Sequence, residues 1–454
     1  MASARCSPRA PASGSRRSRT VRARPRCPGS EDGRGLVPIT AHIDARAEIE
    51  ALVAHRGRAA GSDAERRAAG HLAGRLEALG RVVRIEPTRV RPWFAVAHAL
   101  SALVSIAASV VAVAQPAIGA AIALLAAFSS YGDLTGRFDL LRLLTPKRAS
   151  QNVVSEEGNG IKPGVLVLLA HHDAALTGAV FKPRALARRA RIGAFLRRPF
   201  GPLEILFYAQ VLLLACLMAR SLLPESDLVS NLQFVPTAIL IVSVPLLLDV
   251  ALSDAGPGAN DNASGVATVL RLLERHGGRL ANFDVWAIFA GAEEAQALGM
   301  RTWLRRHRRE LDRQRMVFLD LDKVGAGRVR FARREGLILP LGYDPQLLEL
   351  CEQIAREDRE EVDEPAYDAR AYVARTAGDA AAARLRRFRA ISVACLDELG
   401  LAPGYHGEGD LPEAIEDAAL ERAFWFCSEL IERIDAEIGP EITEDSVPAR
   451  PAGA

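Results

Sequence analysis

The chain has 454 residues, a formal net charge of +3 and 49% hydrophobic residues. That length calls for two or more domains, or one large domain with insertions, and the hydrophobic share is high for a purely water-soluble protein. The six cysteines (Cys6, Cys27, Cys216, Cys351, Cys395, Cys427) are scattered with no Cys-x-x-Cys pair, which excludes a zinc-finger framework and points to reduced thiols.

Residues 1–35 hold nine arginines against Glu31 and Asp32 and almost nothing apolar, so the remainder of the chain is net acidic. This head reads as a disordered, solvated basic tail with no nucleic-acid partner. No apolar stretch follows Arg16-Arg17, so neither a signal peptide nor a twin-arginine signal is expected. Residues 36–92 open the main domain. Two short amphipathic helices flank the turn Arg56–Ser62; the second carries Ala69, Leu72, Leu76 and Leu79 at helical spacing and stops at Gly80. Arg81–Pro87 then reads as a strand.

Trp93–Gly132 is a run of 40 residues without Asp, Glu, Lys or Arg, broken at Gln115-Pro116. It is long enough for two membrane-crossing helices, giving a transmembrane hairpin over 93–132. A basic segment and a second hairpin occupy 182–252, with apolar stretches Pro202–Leu223 and Val229–Leu248 joined by an acidic linker, 224–228. The alternative is four buried core helices of a large soluble domain. Lys and Arg crowd the flanks (Arg89, Arg91, Arg137, Arg142, Lys147, Arg148, and seven residues from Lys182 to Arg198), while both hairpin tips lack them. The positive-inside rule therefore puts the tips outside and the rest of the chain in the cytoplasm, with the lipid bilayer as a partner.

The segments 133–181 and 253–440 alternate strand and helix. Strands are expected at Val165–Leu169, Val285–Ala290, Met316–Leu321 and Ala390–Leu396, and helices at Gly265–Arg275, Ala295–Arg305 and Pro412–Ile434, with a flexible tail over 441–454. This is an α/β pattern with a mostly parallel central sheet flanked by helices, and such folds bind ligands at the carboxyl ends of the strands.

Metal-type residues stand where those strands end. His171-His172-Asp173 follows one, Gly291-Ala292-Glu293-Glu294 another, and Asp320-Leu321-Asp322 a third. A glycine-bounded loop, Gly258-Ala259-Asn260-Asp261-Asn262-Ala263-Ser264-Gly265, opens a helix, and Tyr405-His406 comes late. Singly, each has a bland reading: a turn histidine, a helix N-cap at Asp261, a solvated acid at Asp320, an acidic helix start at Glu293-Glu294. Together, imidazoles and carboxylates without a thiolate suit zinc or another borderline divalent ion, and an ionised carboxylate at a buried strand end needs such a cation. Adjacent side chains point different ways, so one glutamate could hold a metal while its neighbour moves a proton.

In the order of these motifs the chain resembles the M28 family of metallo-aminopeptidases, over roughly 46–88, 149–173, 258–325 and 372–434. The resemblance implies a zinc-exopeptidase fold and two Zn2+ ions, one held by His171, Asp261 and Asp322 and the other by Asp261, Glu294 and His406. It makes Glu293 the general base and Asp173 the orienting partner of His171. Tyr405 is a weaker candidate for stabilising the oxyanion. The implied activity is hydrolysis of N-terminal residues from peptides. Departures from the pattern are Lys323 in place of an apolar residue, Gly407 in place of Thr, and an inserted hairpin between 88 and 149 and again between His171 and Asp261, where the family has a short loop. The alternatives are a non-catalytic membrane scaffold or receptor on this fold, or another activity of the family such as carboxypeptidase action or aminoacyl cyclisation. Oligomeric state is not legible.

Overall fold

The computed structural model describes residues 42–157, 162–223, 226–361 and 365–446. The basic head over 1–35, the tip residues Pro224 and Glu225, and the end of the tail lie outside these.

Two helices open the fold, α1 (Ala45–Val53) and α2 (Asp63–Ala78). Asp44 caps α1 by accepting from the Arg46 amide, and Ser62 caps α2 by accepting from the Glu65 amide at 3.0 Å. Glu65 reaches back to the Gly61 amide at 2.8 Å, close to the reciprocal arrangement of a capping box. Then come β1 (Val82–Val90), the helices α3 (Phe94–Val111) and α4 (Pro116–Leu134), β2 (Arg148–Glu156) and β3 (Gly164–His171). The basic stretch forms α5 (Pro183–Phe195). It leads to α6 (Pro202–Leu222), the short α7 (Asp227–Leu232) and α8 (Phe234–Leu252). The remainder runs α9 (Ser264–His276), β4 (Phe283–Ala290), α10 (Leu298–Arg306), β5 (Met316–Leu321), β6 (Arg328–Glu335), β7 (Leu341–Gly342), α11 (Pro345–Glu361), β8 (Arg370–Ala374), α12 (Asp379–Leu385), β9 (Arg389–Leu396), α13 (Asp417–Arg433) and α14 (Gly439–Ser446). The last helix covers residues through 446 that the sequence reading assigns to a flexible tail; Ile442 on it is buried against the core.

The described strands form one sheet in the order β1-β2-β4-β3-β5-β9-β6-β7, with β8 beside β6. Its centre, β4-β3-β5-β9, is parallel, as the strand–helix alternation predicts. Its edges are antiparallel, through β1–β2, β2–β4, β9–β6 and β6–β7. The register decides where chemistry can occur. His171 pairs with Ala290, and Leu169 pairs with Asp320, so the carboxyl ends of β3, β4 and β5 finish side by side.

Both apolar hairpins are mounted on this sheet. The first lies between β1 and β2, whose register runs from Val82 opposite Glu156 to Val90 opposite Arg148, so the helices sit at the open end of a β-ribbon. The second leaves and re-enters at one point: Leu176 bridges Ala255, and the Gly256 amide donates to the Ala175 carbonyl at 2.9 Å. Four stretches, Phe94–Val111, Pro116–Leu134, Pro202–Leu222 and Asp227–Leu252, are long and apolar enough to cross a membrane. They pack on one another through small residues and leucines, among them Ala102, Ala108, Ala112, Ala123, Ala209 and Leu213. A Cβ added at Gly119 would stand 2.5 Å from the Ala112 Cβ, so only glycine allows α3 and α4 this approach. Polar groups tie the bundle internally: the Gln210 amide nitrogen donates to Ser101 at 2.8 Å and Ser105 at 3.1 Å, and Gln233 donates to the Ser109 carbonyl at 2.8 Å.

Candidate metal centre

The site is assembled from five segments at the carboxyl edge of the parallel strands. His171 is the last residue of β3 and is 2% exposed. Its Nδ1 lies 3.2 Å from the Asp173 carbonyl oxygen, which can only accept, so Nδ1 donates there and Nε2 is left to face the carboxylates. That Nε2 lies 3.3 Å from Asp261 Oδ1, 3.4 Å from Asp322 Oδ1 and 3.6 Å from Glu293 Oε2. On the other side of Asp261, His406 Nε2 lies 3.6 Å from Asp261 Oδ2 and 3.2 Å from Glu294 Oε2. Three overlapping donor groups result among the described residues, His171/Asp261/Asp322, Asp261/Glu294/His406 and His171/Glu293/Glu294, the first two sharing Asp261; within each, the donor atoms lie within 4.8 Å of one another.

All eight residues singled out from sequence come together here. Asp173 does more than stand beside His171. Fully buried, its two carboxylate oxygens accept the backbone amides of Glu293 at 3.0 Å and Glu294 at 3.1 Å, fixing the turn that bears the glutamate pair. Tyr405 lies against the His406 ring at 3.9 Å between centroids, and Phe181 approaches the other way at 4.5 Å. Two neighbours of the motifs stay out of the donor groups. His172 is fully buried behind the site, and Asp320 is 3% exposed rather than solvated. Burial and the nearby Asp379 push the Asp320 carboxyl well above the usual range.

Electrostatics fit a missing positive charge. Burial raises the Glu293 carboxyl well above its ordinary pKa, partly offset by His171, and raises Glu294 likewise, partly offset by His406. At Asp261 burial opposes ionisation, but Lys323 and the two histidines outweigh it and hold the carboxyl very low. His171 Nε2, both Asp261 carboxylate oxygens, Glu294 Oε1 and Asp322 Oδ1 are buried without a hydrogen-bond partner. Buried polar atoms are almost always satisfied, so five orphans converging in one place describe a cation site. Nitrogen and carboxylate oxygen donors in two groups of three suit zinc.

Comparison with known families agrees. Residues 243–431 match the model described as Peptidase family M28. Over these residues the chain is similar to an M28 peptidase domain. The match begins inside α8 and excludes His171 and Asp173, which only the sheet register brings to the M28 residues. Among solved structures, a Zn-dependent exopeptidase from Parabacteroides distasonis is similar, at 13% identity, 87% of this chain, 97% of that chain and TM-score 0.49. So are the zinc aminopeptidase BSAP from Bacillus subtilis, at 14%, 87%, 96% and 0.49, and the Bacteroides thetaiotaomicron glutaminyl cyclase bound to N-acetylhistamine, at 14%, 86%, 98% and 0.48. No curated protein matches the chain.

The site is also held together by residues that the sequence reading does not single out. Arg58, 1% exposed, donates to the His172 carbonyl at 3.1 Å, the Pro257 carbonyl at 2.5 Å and the Gly258 carbonyl at 2.6 Å, clasping the β3 end to the Asp261 loop. Asp410 accepts the Asn260 amide at 2.7 Å and the Asp261 amide at 3.0 Å; burial pushes its carboxyl up to about 7. Asn262 donates to the Leu321 carbonyl at 2.9 Å and accepts from the Lys323 amide at 3.0 Å, while a Cβ at Gly265 would stand 2.2 Å from the Leu321 carbonyl oxygen. The Asp261–Asn262 peptide bond is cis. Glu65 accepts the Ala292 amide at 2.9 Å and the Ser150 hydroxyl at 2.7 Å, bracing the glutamate turn from α2. Lys323 is buried and touches Asp322, with its ammonium 3.8 Å from Asp261. Arg58 sits in a turn with helical flanks, so composition gave no hint of burial; the Asp410 signal was there, five residues after Tyr405.

Proposed function

We propose that the protein is a membrane-anchored aminopeptidase that works with two zinc ions, the first held by His171, Asp261 and Asp322 and the second by Asp261, Glu294 and His406. The observation that carries this reading is the pair of donor groups sharing Asp261, with their orphaned buried atoms. When bound, zinc supplies a Lewis acid for a carbonyl and lowers the pKa of water. The chain's own residues do the rest. Asp173 and its carbonyl fix the His171 tautomer and hold the glutamate turn in place. Glu293 clusters with His171 and Glu294 but lies outside the two proposed zinc groups, and it faces His171 at 3.6 Å. Its raised carboxyl suits a group that takes the proton of the attacking water and passes it to the leaving amine. Tyr405 presents its phenol from beside His406 to a developing oxyanion. The acidic surroundings favour a substrate with a free α-amine. The length and apolarity of the four helices support a bilayer anchor, and their basic flanks favour a cytoplasmic catalytic domain.

A scaffold without chemistry would have no reason to keep five buried atoms unsatisfied. The test is Glu293→Gln in the purified full-length protein. Metal content measured by elemental analysis stays at the wild-type level, while kcat on leucyl substrates falls by roughly 10²- to 10⁴-fold, the usual contribution of a positioned acid–base. Undiminished turnover would overturn the assignment.

A further inference from the structure

A cavity of about 890 Å³ reaches beyond the metal-type residues. One wall is formed by Glu293, Glu294, Lys323, Tyr405 and His406. Another wall is membrane-type helix, and the lining also holds Arg189, Arg197, Arg198, Glu204 and Arg375. Ala238, Val242, Leu246 and Val250, at the i, i+4 spacing of one helical face, line it along α8, and Pro202, Leu203 and Leu206 line it from α6. From Ala238 to Val250 this apolar face extends ~18 Å, at 1.5 Å per residue. Phe181, which touches both Tyr405 and His406, joins the two walls. One continuous space therefore runs from the candidate catalytic groups along the surface of the bundle.

We propose that this enzyme acts on amphiphiles: substrates with a free amine and a scissile amide at the site and a single aliphatic chain lying along α8. The inference rests on the aminopeptidase reading and names its substrate class. The occupant is decided by size and polarity. A single extended alkyl chain is far slimmer than a helical peptide ~10 Å across, and it brings no backbone polar groups that the apolar α8 face would leave unpaired. The α8 face offers no charged residue, and Ser243 is its only hydroxyl group within the cavity lining. Short soluble peptides would leave this wall wet, at a cost that burying methylenes removes. The reaction is hydrolysis. Water's oxygen forms the new C–O bond, the C–N bond breaks, and Glu293 carries the water's proton to the departing nitrogen. The products are a free amino acid and an amine that keeps the chain.

The chemistry admits two sources, an aminoacyl lipid amide or a lipidated peptide. The test uses the full chain in mixed micelles of fixed composition, with leucine amide-linked to n-alkylamines from four to fourteen carbons. A second arm uses leucyl-glycyl-lysine with or without an acyl group on the lysine. A buried methylene is worth up to roughly fourfold in binding, so kcat/KM should rise at least a hundredfold along the alkyl series if aminoacyl lipids are the source. If lipidated peptides are the source, the rise appears between the two tripeptides instead. Val242→Trp with Leu246→Trp, both half-exposed positions that need not displace core, should cut the long-to-short kcat/KM ratio at least tenfold. Flat dependence in both arms with short substrates cleaved overturns the amphiphile proposal and leaves the aminopeptidase reading standing. If no leucyl compound is cleaved, binding of a fluorescent long-chain alkylamine to the Glu293→Gln protein separates the two readings. Tenfold weaker binding in the double-tryptophan variant supports the cavity alone, and unchanged binding overturns it.

Discussion

Lys323 is the residue at which this site departs furthest from a plain arrangement of histidines and carboxylates. It stands at a positive φ of 62°, held by its amide on Asn262, and sends a buried ammonium to Asp322 and Asp261. Burial opposes its charge, but those two carboxylates outweigh it and keep it protonated. A fixed cation beside two candidate zinc donors competes with the metal for the same negative charge. Lys323→Met should therefore bind zinc more tightly: the chelator concentration that strips half the metal rises about tenfold, equal to about 1.4 kcal/mol. Unchanged or weaker retention would show that the ammonium instead helps to hold the site together. His307 offers a pH test away from the metal. Its ring nitrogens lie 2.9 Å from Glu86 and 2.9 Å from Glu310, joining β1 to the end of α10. Burial lowers its pKa, but the two glutamates outweigh that and hold it above the ordinary 6.5. The folded chain thus binds this proton more tightly than the unfolded one. Its stabilisation is complete below pH 6.5 and is lost as pH rises through the higher folded value. Melting temperatures across that range should fall less in His307→Gln than in the parent. The donor residues themselves were legible because each follows an apolar strand or a glycine loop. Arg58 and Glu65 were not, because a charge in a surface-like sequence is silent about the carbonyls and amides it will clasp.

Between elements, the strongest tie links the first hairpin to the glutamate turn. Arg142, 1% exposed, donates to Asp133 Oδ2 at the foot of α4 at 2.9 Å, and to the Ala295 carbonyl at 2.9 Å and Gln296 Oε1 at 2.5 Å just beyond Glu293-Glu294. His98 on α3 lies 3.4 Å from the same carboxylate. Removing one member of a buried charged set leaves the other uncompensated, at about 3–5 kcal/mol. Arg142→Met should destabilise the protein by that order in denaturant titrations in detergent, and Asp133→Asn with Arg142→Met should recover part of it. Additive losses would refute the coupling. Apolar runs made the four long helices and the central strands readable in advance. β2 escaped because four of its six buried positions are polar, Ser150, Gln151, Asn152 and Ser155, with only Val153 and Val154 apolar among them: the Asn152 amide donates to the Gly299 carbonyl at 3.1 Å. β6, Arg-Val-Arg-Phe-Ala-Arg-Arg-Glu, hid a half-buried strand under four arginines. Helix α10 starts at Leu298, three residues later than periodicity suggests, because Gln296 and Ala297 take positive φ in the tight return from the glutamate pair.

For the molecule as a whole, sidedness can be measured directly. Cysteines placed at Val113, 66% exposed at the first hairpin tip, and at Glu408, exposed near His406, should respond oppositely to a membrane-impermeant maleimide on intact cells. The tip cysteine should label and the Glu408→Cys site should stay silent until the cells are opened; the reverse pattern would put the M28 domain outside. The parallel centre of the sheet was foreseeable from alternation alone, but the antiparallel edges were not, since β1 and β2 are neighbours across a whole helical hairpin. The return of the second insertion to its point of departure, Leu176 against Ala255, has a consequence for how the enzyme is made. His171 leaves the ribosome before that insertion and Asp261 after it, 90 positions later in the sequence. At the usual pace of synthesis that interval is roughly 5–18 s. During it, on the membrane reading, α6 and α8 are handed to the bilayer while the nascent M28 domain holds one histidine and none of its carboxylate donors. On the proposed reading, the metal centre is completed only after the second hairpin has been made and its ends have closed, so a chain whose Leu176 and Ala255 fail to meet would be born without it.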